Sequence, residues 1–255
     1  MTMVIVLIFI FSILVASFYN VCIHRMIINQ SVVFPSSYCP SCHHPLKPLD
    51  LIPIFSYIFL LGRCRYCKGR ISLRYFMVEI ITPILAIFLY GIYGVSWQFI
   101  GYFVLASLLI ITSFIDIEQQ IIPNKIIGYG LILGILFSLT GITVGLFDAV
   151  LGFLVGAGSL FLIALISLQI LGKEGMGGGD IKLLGVIGLF LGWKMTLLTL
   201  LLSIYIGGIF SILVLLFKIK KRGDYIPFGP FISLASIITI LWGKDIVAWY
   251  ITSFL

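Results

Sequence analysis

Apolar runs approaching 20 residues recur along the whole chain, and about 20 residues is what a helix needs to cross the roughly 30 Å hydrocarbon core of a bilayer. They cover residues 4–22, 76–93, 98–115, 126–141, 146–171, 181–191, 195–217 and 227–241. Lipid offers no partner for a free backbone N–H or C=O, so segments of this kind must form helices. Composition agrees, with 61% hydrophobic residues against 10% charged and a mean hydropathy of +1.23. The expected fold is an all-α polytopic membrane protein with about eight transmembrane helices, six or seven being the other counts compatible with the pattern. Runs 181–191 and 227–241 are short, and are expected to be tilted, kinked or buried among neighbours.

Charge orients these spans. With the N-terminus outside and the spans alternating, all of the 16 basic residues except Lys194 and Lys244 fall on one side, a strong positive-inside asymmetry. The net charge of +7 therefore reads as topology and attraction to anionic lipid, not as a sign of nucleic acid. No basic residue precedes the first run and no small-residue cleavage site follows it, so it is expected to be a retained helix rather than a signal peptide. Three parts result: a first transmembrane helix at 1–22, a cytoplasmic segment at 23–75, and a multi-span membrane domain at 76–255.

Segment 23–75 holds all three histidines and four of the five cysteines. Its prolines at 35, 40, 45, 48 and 53 make it loop-rich, and a segment of this size buries little core. Cys39-Pro40-Ser41-Cys42 and Cys64-Arg65-Tyr66-Cys67 are two CxxC knuckles with the spacing of a four-thiolate zinc site. The alternative is a pair of disulfides or redox-active dithiols, which the reducing cytoplasm disfavours. Four thiolates leave no open position, so the zinc would be structural. His43 and His44 are alternative ligands, or exposed loop residues. Cys22 reads as a small buried apolar side chain.

Only nine residues are acidic, and a carboxylate beside lipid is expensive enough to mark function. Asp180 follows Gly177-Gly178-Gly179 and precedes Ile181-Lys182, and Asp116 ends another apolar run ahead of Ile122-Pro123-Asn124. Taken singly, Asp180 could be an N-cap after a glycine C-cap, and Asp116 an interfacial cap or a partner for Lys125 or Lys182. Together, two aspartates at the same-side mouths of separate spans point to a dyad acting on water. In such a dyad one carboxylate is ionised and takes a proton from water, while the other, protonated, hydrogen-bonds the scissile carbonyl. Glu118 and Glu174 lie nearby without that setting.

The stretch Glu174–Lys182 resembles the GxGD signature of the type IV prepilin peptidases. Asp116 with Ile122-Pro123-Asn124 resembles the first catalytic aspartate segment of that family. Ser17-Phe18-Tyr19-Asn20-Val21 with His24-Arg25, the two knuckles, Ile71-Ser72-Leu73-Arg74-Tyr75 and Pro227-Phe228-Gly229-Pro230 also match its pattern, in order and over nearly the whole chain. The resemblance implies an enzyme of the bacterial cytoplasmic (inner) membrane, with its active site on the cytoplasmic side. It would remove the basic leader of prepilins or pseudopilins after glycine, and would N-methylate the new terminus with S-adenosylmethionine. By motif position Asp116 and Asp180 would be catalytic, Gly177, Gly178, Gly179 and Lys182 would form the active-site loop, and Cys39, Cys42, Cys64 and Cys67 would hold the metal. Phe76 and Asp50 depart from the pattern, where proline and asparagine are usual. Glu79, the one acid near the membrane end of the loop, is the candidate for the cationic cofactor, its alternative being a pair with Arg74.

Three rival functions fit parts of the sequence. A protease of the presenilin or signal-peptide-peptidase kind shares GxGD, but has a Tyr-Asp pair where Ile115-Asp116 stands here. A carboxylate-dependent transporter would carry its acids mid-span and show inverted halves. A purely structural membrane subunit would have no use for acids beside glycine runs.

Overall fold

The computed structural model describes residues 2–172, 176–218 and 225–254; Lys173, Glu174, Gly175, Lys220, Lys221 and Arg222 lie outside the described residues. Among the described residues the chain is all-helical, in two compact units, Met1–Gly94 and Val95–Leu255.

In the first unit α1 (Thr2–Ile27) packs against α3 (Leu73–Tyr93). Asn20 Nδ2 ties them by donating to the Tyr75 carbonyl at 3.0 Å, and Ser72 caps α3 by accepting from the Arg74 N–H. Leu7, Phe11, Leu14 and Phe18 of α1 are exposed, as lipid-facing positions must be. Between these helices the chain is held by polar clasps, with a 3₁₀ turn at Pro48–Leu51 and the short α2 (Phe55–Phe59). Buried Arg25 donates to the carbonyls of Ser31, Pro35 and Ser36. Asp50 accepts from Arg65 Nε at 2.5 Å, from Tyr66 at 3.1 Å and from the Lys47 N–H at 3.2 Å. Partial burial works against that carboxylate, but these donors outweigh it and hold it below the usual range.

The second unit contains α4 (Trp97–Gln119), α5 (Asn124–Leu139), α6 (Leu146–Leu171), α7 (Gly178–Leu216) and α8 (Gly229–Phe254). At 39 residues α7 would be about 58 Å long if straight. It is not straight. Gly192 has φ 73° and ψ 170°, a conformation open to glycine and closed to side chains with a Cβ. A Cβ at Gly156 of α6 would sit 2.5 Å from the Leu184 carbonyl and 3.0 Å from Thr196 Cγ2. Those residues would be about 18 Å apart in a continuous helix, so the chain folds back at Gly192. Runs 181–191 and 195–217 are thus the two arms of one hairpin.

Glycines bring α6 against the first arm: Gly152 faces Gly188 so closely that a Cβ on either would overlap the other's carbonyl. The second arm packs on α8, where Thr199 donates to Thr239 at 3.0 Å. Six described helices are long and apolar enough to cross a membrane, with α7 counted once although it folds into two arms, and α5 is shorter at 16 residues. Helix α8 also runs well past residue 241, because Gly243, Lys244 and Asp245 interrupt the apolar pattern without breaking the helix.

Candidate active site and metal centre

Three chain segments meet around the aspartates. Asp116 lies in the last turn of α4 and is 2% exposed. Asp180 lies in the first turn of α7 and is 4% exposed. Asp180 is not the N-cap; Gly177 is, and its backbone hydrogen-bonds the Asp180 carboxyl. The partner of Asp116 is neither Lys125 nor Lys182 but the backbone N–H of Gly229, which donates to Oδ2 at 3.0 Å. The two carboxylates lie near enough to act on one another electrostatically.

Glycine is required at two of these positions by space. A Cβ at Gly229 would lie 2.6 Å from Asp116 Oδ2, and one at Gly179 would lie 2.9 Å from Ile122 Cβ. The Ile122 side chain also reaches within 3.4 Å of the Gly229 position. The turn after Asp116 therefore fills the gap between the starts of α7 and α8. Gly178 faces open space. Lys182 is exposed and donates to Asn124 Oδ1 at 3.0 Å, tying the start of α7 to the start of α5. Glu118 is exposed.

Sequence reasoning missed Tyr225. Its hydroxyl and Asp180 Oδ2 lie 3.7 and 3.4 Å from the same point, where a Cβ of Gly177 would be. Burial, then the charges of Asp180 and Asp116, push its phenol above the usual range. The only signal in the sequence was an aromatic hydroxyl two residues before Pro227.

The four knuckle cysteines converge, their sulfurs all lying within 4.8 Å of one another. Cys39 and Cys67 Sγ are 3.9 Å apart, close to the roughly 3.8 Å edge of a tetrahedron with Zn–S bonds of about 2.3 Å. The knuckles share one geometry. His43 N–H donates to the Cys39 carbonyl and Lys68 N–H to that of Cys64, and both His43 and Lys68 have positive φ. Burial opposes ionisation of Cys39, but the Cys42 and Ser41 backbone and the Cys64 and Cys42 thiols outweigh it and bring the thiol to about 7. The His44 backbone favours the Cys42 thiolate, but desolvation and the Cys39 and Cys67 thiols outweigh that and hold it at about 11. All four thiols are free of disulfides. His43 stacks on Tyr38 and His44 lies against Tyr66, so the donor set among the described residues is the four cysteines.

Glu79 is 8% exposed, and its Oε2 accepts from the Ile54 N–H at 2.6 Å. Asn20 is 2% exposed and its side chain also hydrogen-bonds Glu79, leaving Asn20 Oδ1 buried without a partner. Arg74 lies over the Tyr75 ring at 4.7 Å. A carboxylate beside an unsatisfied carbonyl oxygen is an acceptor pair that fits a cationic group.

Residues 10–93 match the family model described as the bacterial peptidase A24 N-terminal domain, and residues 103–212 match that of the type IV leader peptidase family. The chain is similar to a prepilin leader peptidase/N-methyltransferase of Aeromonas hydrophila, at 35% identity over 98% of this chain and 94% of the relative. It is similar to one of Bacillus subtilis, at 35% over 96% and 97%, and to one of Pseudomonas putida, at 39% over 84% and 74%. No solved structure matches. With two family models in sequence and relatives matched over 74–97% of their length, the chain is a membrane peptidase that belongs to the type IV leader peptidase family.

Proposed function

We propose that this enzyme is an aspartic endopeptidase that removes the basic leader of prepilins or pseudopilins after glycine, using Asp116 and Asp180. The observation that carries this reading is the burial of both carboxylates at helix ends joined through Ile122, each oriented by the backbone of a glycine. Two carboxyls so placed share one proton. The ionised one takes a proton from the attacking water, and the protonated one hydrogen-bonds the peptide carbonyl and later gives its proton to the leaving amine as the C–N bond breaks. The site lies on the cytoplasmic side of the inner membrane, where the basic leader would reach it, and the basic cytoplasmic loops lie against anionic lipid.

Segment 23–75 is the structural zinc module, with Cys39, Cys42, Cys64 and Cys67 as ligands, while 76–255 carries the protease. S-adenosylmethionine, when bound, would supply a methyl group for the newly exposed amine. Glu79 would hold its positive end, with Asn20 Oδ1 as a second acceptor.

The test is mass spectrometry of a prepilin incubated with purified enzyme. Wild type should remove the leader and add one methyl, and Asp116→Asn and Asp180→Asn should each abolish cleavage while leaving the protein folded. Near-wild-type cleavage by either variant would refute the dyad.

A further inference from the structure

The short helix α2 is pinned to the first turns of a membrane-spanning helix. The Ile54 N–H donates to Glu79 Oε2 at 2.6 Å, and the Tyr57 ring stacks on that of Phe76 at 5.1 Å between centroids. Helix α3 has 21 residues, about 32 Å at 1.5 Å per residue, barely more than the roughly 30 Å hydrocarbon core. Phe76 and Glu79 come three and six residues after Leu73, about 5 and 9 Å along the helix. This places α2 at the boundary between hydrocarbon and headgroups. Helical spacing then decides which side chains face outward. Phe55, Ile58 and Phe59 follow the i, i+3, i+4 pattern of one face, turned away from the inward Tyr57. All three are exposed, Phe59 at 81%, and Leu61 just after the helix is exposed at 84%. Lipid at this depth would cover them, where water would not.

Beyond Leu61 the surface turns basic. The Ile71 N–H donates to the Gly62 carbonyl and the Cys64 N–H to that of Gly69, so Arg63 and Arg70 face one another across an antiparallel bridge. The Tyr57 hydroxyl donates to the Ile71 carbonyl at 3.4 Å, so the base of this ribbon rests against α2. The two arginines are a non-hydrogen-bonded pair, a kind with Cα atoms only about 4.5 Å apart, and like charges directly opposite destabilise such a pair. Arg65 is tied to Asp50, the single acid of segment 23–75. Neither Arg63 nor Arg70 has an ion-pair partner among the described residues. A phosphate between them would remove the repulsion, and a guanidinium offers phosphate two parallel N–H donors.

Resting on the cytoplasmic placement given above, we propose that the outer face of α2 and the Arg63–Arg70 pair form one lipid-docking edge, which seats the cysteine module on anionic phospholipid of its own leaflet. The apolar face enters the acyl boundary, and the two arginines take a headgroup phosphate.

The test uses full-length enzyme with photoreactive benzoylphenylalanine in place of Phe59, in nanodiscs of phosphatidylcholine and phosphatidylglycerol in equal parts. Phe59, Arg63 and Arg70 are all exposed, so changes there leave the core alone. Mass spectrometry of the irradiated protein should find phospholipid adducts. Phosphatidylglycerol should exceed phosphatidylcholine by about fivefold or more, the gain from a single arginine near an anionic surface. Arg63→Gln with Arg70→Gln should keep the lipid adducts but bring that ratio below about twofold, and added inorganic phosphate should leave the wild-type ratio unchanged. No lipid adducts, or crosslinks to protein alone, would overturn the edge. So would a ratio near one in wild type, a ratio unmoved in the double variant, or a ratio abolished by inorganic phosphate, which would make the pair a site for free phosphate. The crosslink needs no catalysis, so loss of the aspartate dyad would leave it standing. Missing adducts on an enzyme that still removes leaders would sink the edge and spare the peptidase.

Discussion

Replacing Gly229 by alanine tests the site at the point where it has least room. The new Cβ would lie 2.6 Å from Asp116 Oδ2, 3.2 Å from its Cγ and 3.4 Å from Ile122 Cδ1. Non-bonded heavy atoms settle near 3.5 Å or beyond, so the carboxyl must retreat by roughly 1 Å. Asp116 is 2% exposed and has no solvent to retreat into, so it turns away from the Gly229 N–H that orients it. A 1 Å misplacement of a catalytic group costs about 100-fold in rate, or about 2.7 kcal/mol at 1.36 kcal/mol per decade. That lies within the roughly 1.5–3 kcal/mol that a hydrogen bond to a charged group contributes. Leader removal followed by mass spectrometry should therefore show kcat about 100-fold lower for Gly229→Ala. KM should stay within a few-fold, because in the proposed dyad the carboxyl acts on the transition state. Helical content and thermal stability should be unchanged, which separates a displaced carboxyl from a misfolded chain. A kcat within about fivefold of wild type, or a rise in KM alone, would refute the reasoning.

Purified protein should hold about one zinc per chain, given one four-cysteine site; Cys39→Ser with Cys42→Ser should lose it and make 23–75 protease-sensitive, as metal content and limited proteolysis would report. Gly188→Ala should destabilise the second unit by about 3 kcal/mol, the upper end for overpacking, because its Cβ meets the Gly152 backbone. Gly158→Ala, facing open space in α6, should show no loss in the same thermal melts. Glu79→Gln keeps an acceptor for the Ile54 N–H while removing the charge, and should lower methyl transfer to a precleaved pilin more than leader removal. Equal loss of both would make Glu79 structural.

The sequence by itself determined that the chain is helical and membrane-bound. It also singled out the four cysteines and both aspartates, because each signal is local: apolar runs of spanning length, CxxC spacing, and an acid beside glycines. It read 181–191 and 195–217 as successive spans of opposite direction, but not what makes the turn, since the reversal depends on the backbone of Gly192 and on the fit of α6 between 184 and 196. The end of α8 was misplaced for a related reason: charge interrupts an apolar pattern without interrupting backbone hydrogen bonds. Only the tertiary structure gave Asp116 its partner, the Gly229 N–H more than a hundred residues away, and set Tyr225 beside Asp180. Residue spacing carries information over a turn or two of helix. Which helix ends meet is decided by packing, here by glycines that let backbones approach where any Cβ would hold them apart.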